Sequence, residues 1–236
     1  MDTFLTRREI KRQAKERLRT DDNWKQLMIA NIIPWLLAVV FAVVQVTQAA
    51  QILQSIDPNN VADSINKLPS NSSWSLVQNL MTTMFTQGVA FTALELWRKP
   101  DYKFNPWQAL LQVFTGQWFW AIIAIWLLSS VAESIGMMLF IIPGILLLFG
   151  LSQSFYTLYD ARTNDEQTSA LTAMIASWRL MRGFKLDLFV LSLTLLGWTI
   201  LQRLTLHLLD FAINPYLQLV YAGFYDNIRK YQVLQQ

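Results

Sequence analysis

Three ionisable side chains near the end of the chain have a spacing that suits proton movement. Arg203, His207 and Asp210 stand at i, i+4 and i+7, so they would share one face of a continuous helix. Histidine titrates near neutral pH, and ionisable groups at membrane depth commonly mark an ion pathway. The alternative is a structural cluster at the outer end of a span, with Arg203 paired to Asp210 or to Glu133. We favour this structural interpretation, because charged groups near span ends reach the interface at low cost.

A second candidate centre is Asp160, which follows Tyr156 and Tyr159 at the end of an apolar run. Its carboxylate could pair with Arg182 or Lys185 and thereby fix how the helix between them docks. A partly desolvated pair of this kind positions elements more than it stabilises them. The alternative is a solvated acid in a loop, and we favour the structural pair.

Catalytic and metal-binding signatures are missing from the sequence. There is no GxxxxGK phosphate loop and no HExxH pair. The chain has no cysteine and one histidine, which excludes disulfides, thiolate metal sites and a multi-histidine zinc site within one chain. We therefore expect neither enzyme activity nor a cofactor.

The elements that carry these residues are long apolar runs. The chain of 236 residues is 53% hydrophobic and 15% charged, whereas a soluble domain has about 25% charged residues. This composition predicts an all-α, polytopic membrane helix bundle with interfacial amphipathic helices. Six spans are predicted, at residues 27–52, 74–96, 115–132, 134–156, 186–206 and 208–225.

Two of these spans have unusual features. The second carries polar residues from Gln78 to Gln87, which either hydrogen-bond across helices or line a wet cavity. A tight turn is predicted at Glu133-Ser134, and Pro143 is predicted to kink the fourth span in its middle.

The positive charges predict the orientation of the bundle. Of the 19 Lys and Arg residues, 17 lie in the odd-numbered segments that flank the predicted spans. This alternation predicts a multi-pass protein of the cell membrane with both termini in the cytoplasm.

Two amphipathic helices are predicted on the cytoplasmic side. Residues 1–26 contain a capping box at Thr6 and Glu9 and a strongly basic face, which either attracts anionic lipid head groups or only anchors this end. The second helix, at residues 163–183, begins at a capping box formed by Thr163 and Glu166 and ends at Gly183. We call it the elbow, because it joins the fourth and fifth predicted spans.

Residues along most of the chain also carry a family resemblance. They are Arg8, Ile10, Lys11, Ala14, Tyr156, Tyr159, Asp160, Ala170, Ser177, Met181, Gly183, Lys185, Gly197-Trp198, Pro215-Tyr216 and Phe224-Tyr225. With them the chain resembles an uncharacterised family of integral membrane proteins of Gram-positive bacteria and, more distantly, the membrane region of glycerophosphodiester phosphodiesterases. The resemblance implies six membrane helices and supplies no activity. Related sequences often have a glycine-rich stretch near the last turn, where this chain reads Thr205-Leu206-His207-Leu208.

Two functions are consistent with these features. We expect a non-enzymatic membrane scaffold, assembly factor or envelope-stress factor that acts through lipids or membrane protein partners and binds no nucleic acid. The alternative is a small transporter or channel that uses the polar second span and the Arg203, His207 and Asp210 cluster.

Overall fold

The computed structural model describes residues 4–55, 72–164 and 168–234. Every regular element within these ranges is helical, which confirms the predicted all-α class. The α-helices are α1 (Arg7–Arg19), α2 (Asn23–Ser55), α3 (Ser72–Arg98), α4 (Pro106–Leu111), α5 (Phe119–Leu139), α6 (Ile141–Leu151), α7 (Ser154–Thr163), α8 (Ala170–Leu180), α9 (Lys185–Leu204) and α10 (Asp210–Val233).

Helices α3 and α10 pack against each other and form the centre of the bundle. Every residue from 88 to 97 of α3 is buried, as are nearly all residues from 218 to 228 of α10. The two helices approach closely at Gly223, where an added Cβ would lie 2.6 Å from the ring of Trp97. Because the other helices cover them, these two helices tolerate more polar residues than a lipid-facing helix would.

Four helical stretches in the described part of the chain are long and apolar enough to cross a membrane. They are Asn23–Gln48, Phe119–Leu139, Ile141–Thr163 and Lys185–Leu204. At most 39% of any of these stretches is buried inside the protein, so their apolar surfaces face outward, as the surfaces of a membrane protein do. The central helices α3 and α10, predicted as the second and sixth spans, are not among the four.

The contacts of α2 contradict the predicted path of the last two spans. The indole Nε1 of Trp24 donates a 3.3 Å hydrogen bond to the carbonyl of Ala212, and Trp35 donates a 3.0 Å bond to the carbonyl of His207. The predicted topology places Trp24 on the cytoplasmic side and Ala212 near the outer end of the sixth span, and the hydrocarbon layer is about 30 Å thick. A hydrogen bond cannot span most of that thickness, so the turn between α9 and α10 lies beside the first three turns of α2.

The predicted turn at Glu133-Ser134 is also wrong, because both residues lie inside α5. The chain instead turns at Phe140, which has an extended backbone (φ −161°, ψ 147°). Pro143 then stands in the first turn of α6, where a missing amide hydrogen leaves no intrahelical bond unmade. Proline therefore helps to start this helix and does not kink the middle of one.

The elbow is shorter than predicted. Thr163 is the last residue of α7, Glu166 lies outside the described residues, and α8 begins after the N-cap Ser169, whose hydroxyl accepts from the Thr172 amide. Gly183 has φ +84°, as expected for a glycine just after a helix.

The buried face of the elbow also differs from the apolar stripe that the spacing of Leu171, Met174, Ile175 and Trp178 predicts. It consists of Ala173, Met174, Ser177 and Leu180, whereas Leu171 and Ile175 are exposed. The cause is that α8 packs on α5, α6 and α7. The helix is therefore an integral part of the helical packing.

The N-terminal helix forms as predicted but has a protein neighbour. Thr6 caps it by accepting from the Glu9 amide, and Ile10, Ala14 and Leu18 are buried. Asn227 of α10 exchanges two hydrogen bonds with the backbone of Leu5. The apolar face of α1 therefore packs on protein, and its basic face remains outside.

Candidate functional site

The last residue of α3 organises a buried ion cluster between three helices. The Arg98 guanidinium binds both carboxylate oxygens of Asp160 in α7, from Nη1 at 2.6 Å and from Nη2 at 2.9 Å. Its Nε donates to Asp226 Oδ1 of α10 at 2.9 Å. The Asp160 and Asp226 side chains are only 7% and 4% exposed. Arg98 thus uses its rigid planar fork to join α3 to two other helices.

Further donors from α10 also bind these two carboxylates. The hydroxyl of Tyr225 donates to Asp160 Oδ2 at 2.6 Å, and Arg229 Nη1 lies 2.7 Å from the same oxygen. Lys230 Nζ lies 2.8 Å from Asp226 Oδ2. We call these six residues (Arg98, Asp160, Tyr225, Asp226, Arg229 and Lys230) the Arg98 cluster. Its three cations exceed its two anions, so the cluster is positively charged overall.

Arg17 connects the N-terminal helix to the same region. Its Nη1 donates to the carbonyl of Leu96 at 3.2 Å, and its guanidinium lies 4.9 Å from the centre of the Trp97 ring. Burial lowers the pKa of Arg17, while the negative charge of Asp226 acts in the opposite direction. The contact with Leu96 satisfies a carbonyl that the end of α3 leaves without an intrahelical partner.

The predicted partners of Asp160 are wrong. Its carboxylate binds Arg98 and Arg229, whereas Lys185 places its Nζ 3.3 Å from the centre of the Trp178 ring. No ion pair joins Asp160 to Arg182 within the described residues. The cations that reach Asp160 thus come from α3 and α10, which are distant from α7 in sequence.

The other candidates near the elbow have structural contacts. Tyr156 stacks on Tyr225, with ring centres 5.1 Å apart, and the Tyr159 hydroxyl donates to Glu95 at 3.2 Å. The Ser177 hydroxyl donates to the Gly150 carbonyl at 2.8 Å and accepts from the Gln153 amide at 3.2 Å. Tyr156 thus supports the Arg98 cluster by packing, and Ser177 fastens α8 to the junction of α6 and α7.

Arg203, His207 and Asp210 do come together, around the turn between α9 and α10. His207 Nδ1 lies 2.8 Å from Asp210 Oδ2, and Arg203 Nη1 lies 3.1 Å from His207 Nε2. Histidine therefore bridges the other two, and the predicted direct pairing of Arg203 with Asp210 or Glu133 is not seen among the described residues. We call these three residues the His207 cluster.

The backbone of this turn is unusual for the residues it holds. Leu206 and His207 have φ of 51° and 65°, in the left-handed region that glycine adopts without strain. These positions fall in the stretch where sequences of the resembling family often have glycine. Among the described residues, Asp210 Oδ1 is one of three buried side-chain atoms without a hydrogen-bond partner.

The polar residues of α3 are used in part for helix contacts. Asn79 accepts a 2.7 Å hydrogen bond from the Trp126 indole of α5. Gln112, after α4, donates to the Gly88 carbonyl at 2.6 Å and to the Thr92 hydroxyl at 3.0 Å. These contacts agree with the interpretation that polar groups join neighbouring helices. Among the described residues no group of three His, Cys, Asp or Glu side chains is placed to hold a metal ion.

Two family profiles match the sequence. The profile described as "Mycoplasma MFS transporter" matches residues 5–181, which is 177 of the 236 residues. By this coverage, the chain belongs to that family. The profile described as "Protein of unknown function (DUF975)" matches residues 148–232, which agrees with the resemblance to an uncharacterised family. No curated protein and no solved structure matches the chain.

The two matches divide the Arg98 cluster between them. Arg98 lies only in the segment similar to the MFS transporter profile, Asp160 lies in both segments, and Tyr225 and Asp226 lie only in the DUF975 segment. The sequence alone did not single out Arg98, Tyr225 or Asp226 as one site. The available signal was the acidic Asp226 directly after Phe224-Tyr225, in a stretch followed by two basic residues.

Proposed function

We propose that this protein is a small-solute transporter of the cell membrane that catalyses no covalent reaction. We also propose that the ion pairs of the Arg98 cluster hold its two moving groups of helices together, and we call this role the latch. The observation behind this proposal is that Arg98 joins helices belonging to two different hydrophobic cores. Membership of a family described as a transporter family supports the same function.

The two cores meet at three helices, α3, α7 and α8, each of which contributes buried residues to both. The first core contains buried residues of α1, α2, α9 and α10, with Val89 from α3, Tyr156 from α7 and Leu180 from α8. The second contains buried residues of α5 to α8, with Met84 and Phe91 from α3. We call them the α10 core and the α5 core. Because α3 contributes more buried residues to the two cores together than α7 or α8 does, we take it as the axis for a movement of one core against the other.

The Arg98 cluster ties this axis to both sides. Asp226 belongs to α10, which contributes to the α10 core, and Asp160 belongs to α7, which contributes Leu158 to the α5 core as well as Tyr156 to the α10 core. Rocking movements of transporters exchange such polar contacts while the apolar packing inside each part is kept.

The proposal is tested by reconstitution. Purified full-length protein in liposomes is incubated with a defined mixture of polar metabolites, and the solutes retained inside are identified by mass spectrometry. We expect at least one solute to accumulate above the level in protein-free vesicles. Arg98→Lys, which keeps the charge but removes the bidentate fork, should slow its uptake about tenfold.

Lys99→Gln is the matched control, because Lys99 is the next residue and its side chain is 70% exposed. Its uptake should equal that of the wild type. If folded wild-type protein retains no solute from the mixture, the transport proposal fails. Equal uptake by Arg98→Lys and wild type would contradict the latch role of the Arg98 cluster and leave the transport function standing.

The scaffold function is kept as a second candidate because of one observation. The basic face of α1 stays outside after its apolar face has packed on α10, with Arg8, Arg12 and Arg19 exposed. A cationic surface of this kind could bind an acidic partner protein or anionic lipids. Recovery of one specific membrane protein by affinity purification, lost in Arg8→Glu, would favour this function.

A further inference from the structure

A groove of about 410 Å³ lies where four parts of the chain meet. They are the end of α1, the start of α2, and the last turns of α9 with the first turns of α10. Its walls are mainly apolar and aromatic, formed by Trp24, Trp198, Leu201, Leu209, Ile213 and Tyr216. The size is that of a site for a small ligand.

Two cations from α1 stand at this groove. Lys15 and Arg19 contribute to its lining, and Lys15 Nζ lies 5.9 Å from the centre of the Tyr216 ring. Neither cation forms an ion pair with another described residue, whereas the nearby Asp22 is paired with Lys25 at 2.9 Å. The groove thus combines an apolar wall with positive charge that the protein itself leaves unneutralised.

We propose that this groove binds one anionic phospholipid. Lys15 and Arg19 contact the phosphate of the head group, and one acyl chain lies along Trp198 and Leu201. A soluble anion would gain nothing from the apolar wall, and a zwitterionic lipid would present its own cation to the two basic residues. Tryptophan at the boundary between polar and apolar surface also suits a lipid, because indole prefers that boundary.

This inference goes beyond the transport proposal and does not depend on it. Non-specific attraction of anionic head groups would involve the whole basic face of α1, whereas binding in the groove involves only Lys15 and Arg19 from that helix. The distinction can be measured, because α1 also carries Arg8 and Lys11, which do not line the groove. Lipid binding is measured in micelles without any flux, so the two proposals fail separately.

The test uses full-length protein in dodecyl maltoside and follows its melting temperature during titration with dioleoyl phosphatidylglycerol. We expect saturable stabilisation by this lipid and little by dioleoyl phosphatidylcholine. Lys15→Gln/Arg19→Gln should raise the half-saturating concentration about 30-fold, since the loss of each basic residue weakens the binding of anionic lipid about five- to sixfold. Arg8→Gln/Lys11→Gln removes the same charge from the same helix and should change it less than about threefold.

A second variant tests the apolar wall without changing charge. Leu201→Trp fills the groove at a position that is already partly exposed, and it should abolish the saturable component. The inference is overturned if both double variants lose affinity equally, if Leu201→Trp binds as well as wild type, or if phosphatidylcholine or inorganic phosphate stabilises as strongly. Monodisperse elution and an unchanged lipid-free melting temperature establish that each variant is folded.

Discussion

The two charged clusters of this protein are built in opposite ways. The Arg98 cluster joins residues 62 and 128 positions apart in sequence and brings three helices together. The His207 cluster joins residues three and four positions apart around one turn. The carboxylates of the first are almost fully buried, whereas His207 and Asp210 are 34% and 13% exposed.

This difference in construction implies a difference in function. The Arg98 cluster determines how separate helices are placed, because its removal affects α3, α7 and α10 together. The His207 cluster shapes a single connection, and its carboxylate Asp210 is left with one unpartnered oxygen among the described residues. The first cluster should therefore control stability and global movement, and the second should control local geometry.

The largest expected effect concerns the side of the membrane on which the turn between α9 and α10 lies. Trp24 at the start of α2 and Ala212 are hydrogen-bonded, so this turn cannot lie on the surface opposite to the start of α2. If the N-terminus lies in the cytoplasm, as the positive charges predict, Leu206→Cys in intact cells should not react with a membrane-impermeant maleimide, and Arg12→Cys should react only after permeabilisation. The native chain has no cysteine to interfere. Labelling of Leu206→Cys from outside would restore the six-span path predicted from the sequence.

The next largest effect separates the two clusters by stability. Arg98→Leu leaves two buried carboxylates with only part of their positive charge, which should lower the free energy of unfolding by about 3 kcal/mol. Arg203→Leu removes an exposed arginine from the other cluster and should cost less than about 1 kcal/mol. Both are measured by reversible unfolding in mixed detergent micelles. Equal losses would show that burial does not distinguish the clusters.

The same contrast explains which features the sequence could predict. Helix periodicity and capping residues are local, so the helical class, the N-terminal helix with its Thr6 cap and the turn at Gly183 were all predicted. The grouping of Arg203, His207 and Asp210 was also predicted, because their spacing is local. The partner of Asp160 was not, since it depends on packing between α3 and α7, 62 positions apart.

The wrong predictions share a physical cause as well. Hydropathy places a turn at the charged Glu133, but the α-helix continues because its backbone hydrogen bonds are unaffected by one acidic side chain. It also treats every long apolar run as a complete crossing, and so it could not show that α2 contacts the turn after α9. Both errors concern how the chain is folded back, which apolar composition does not specify.

A smaller effect isolates one hydrogen bond within the Arg98 cluster. Tyr225→Phe removes the hydroxyl that donates to Asp160 at 2.6 Å, and a bond to a charged group contributes about 2 kcal/mol. Tyr231→Phe is the control, since Tyr231 packs on Phe4 and Phe184 through its ring and should change stability little. If the two variants unfold alike in the same micelle assay, the hydroxyl contributes nothing to the cluster.

The smallest effect tests the backbone of the turn that holds the His207 cluster. Leu206 has φ +51°, a conformation that is strained for leucine and free of strain for glycine. Its side chain is 78% exposed, so Leu206→Gly gives up little packing inside the protein and should raise the free energy of unfolding by about 1 kcal/mol. Leu204→Gly, at the last residue of α9, should lower it by about 1 kcal/mol, because glycine weakens a helix. Opposite signs two residues apart are the expected signature of a left-handed backbone at Leu206. A loss of stability in both variants would contradict the strain at Leu206 and would indicate that its side chain is stabilised by the surrounding hydrocarbon.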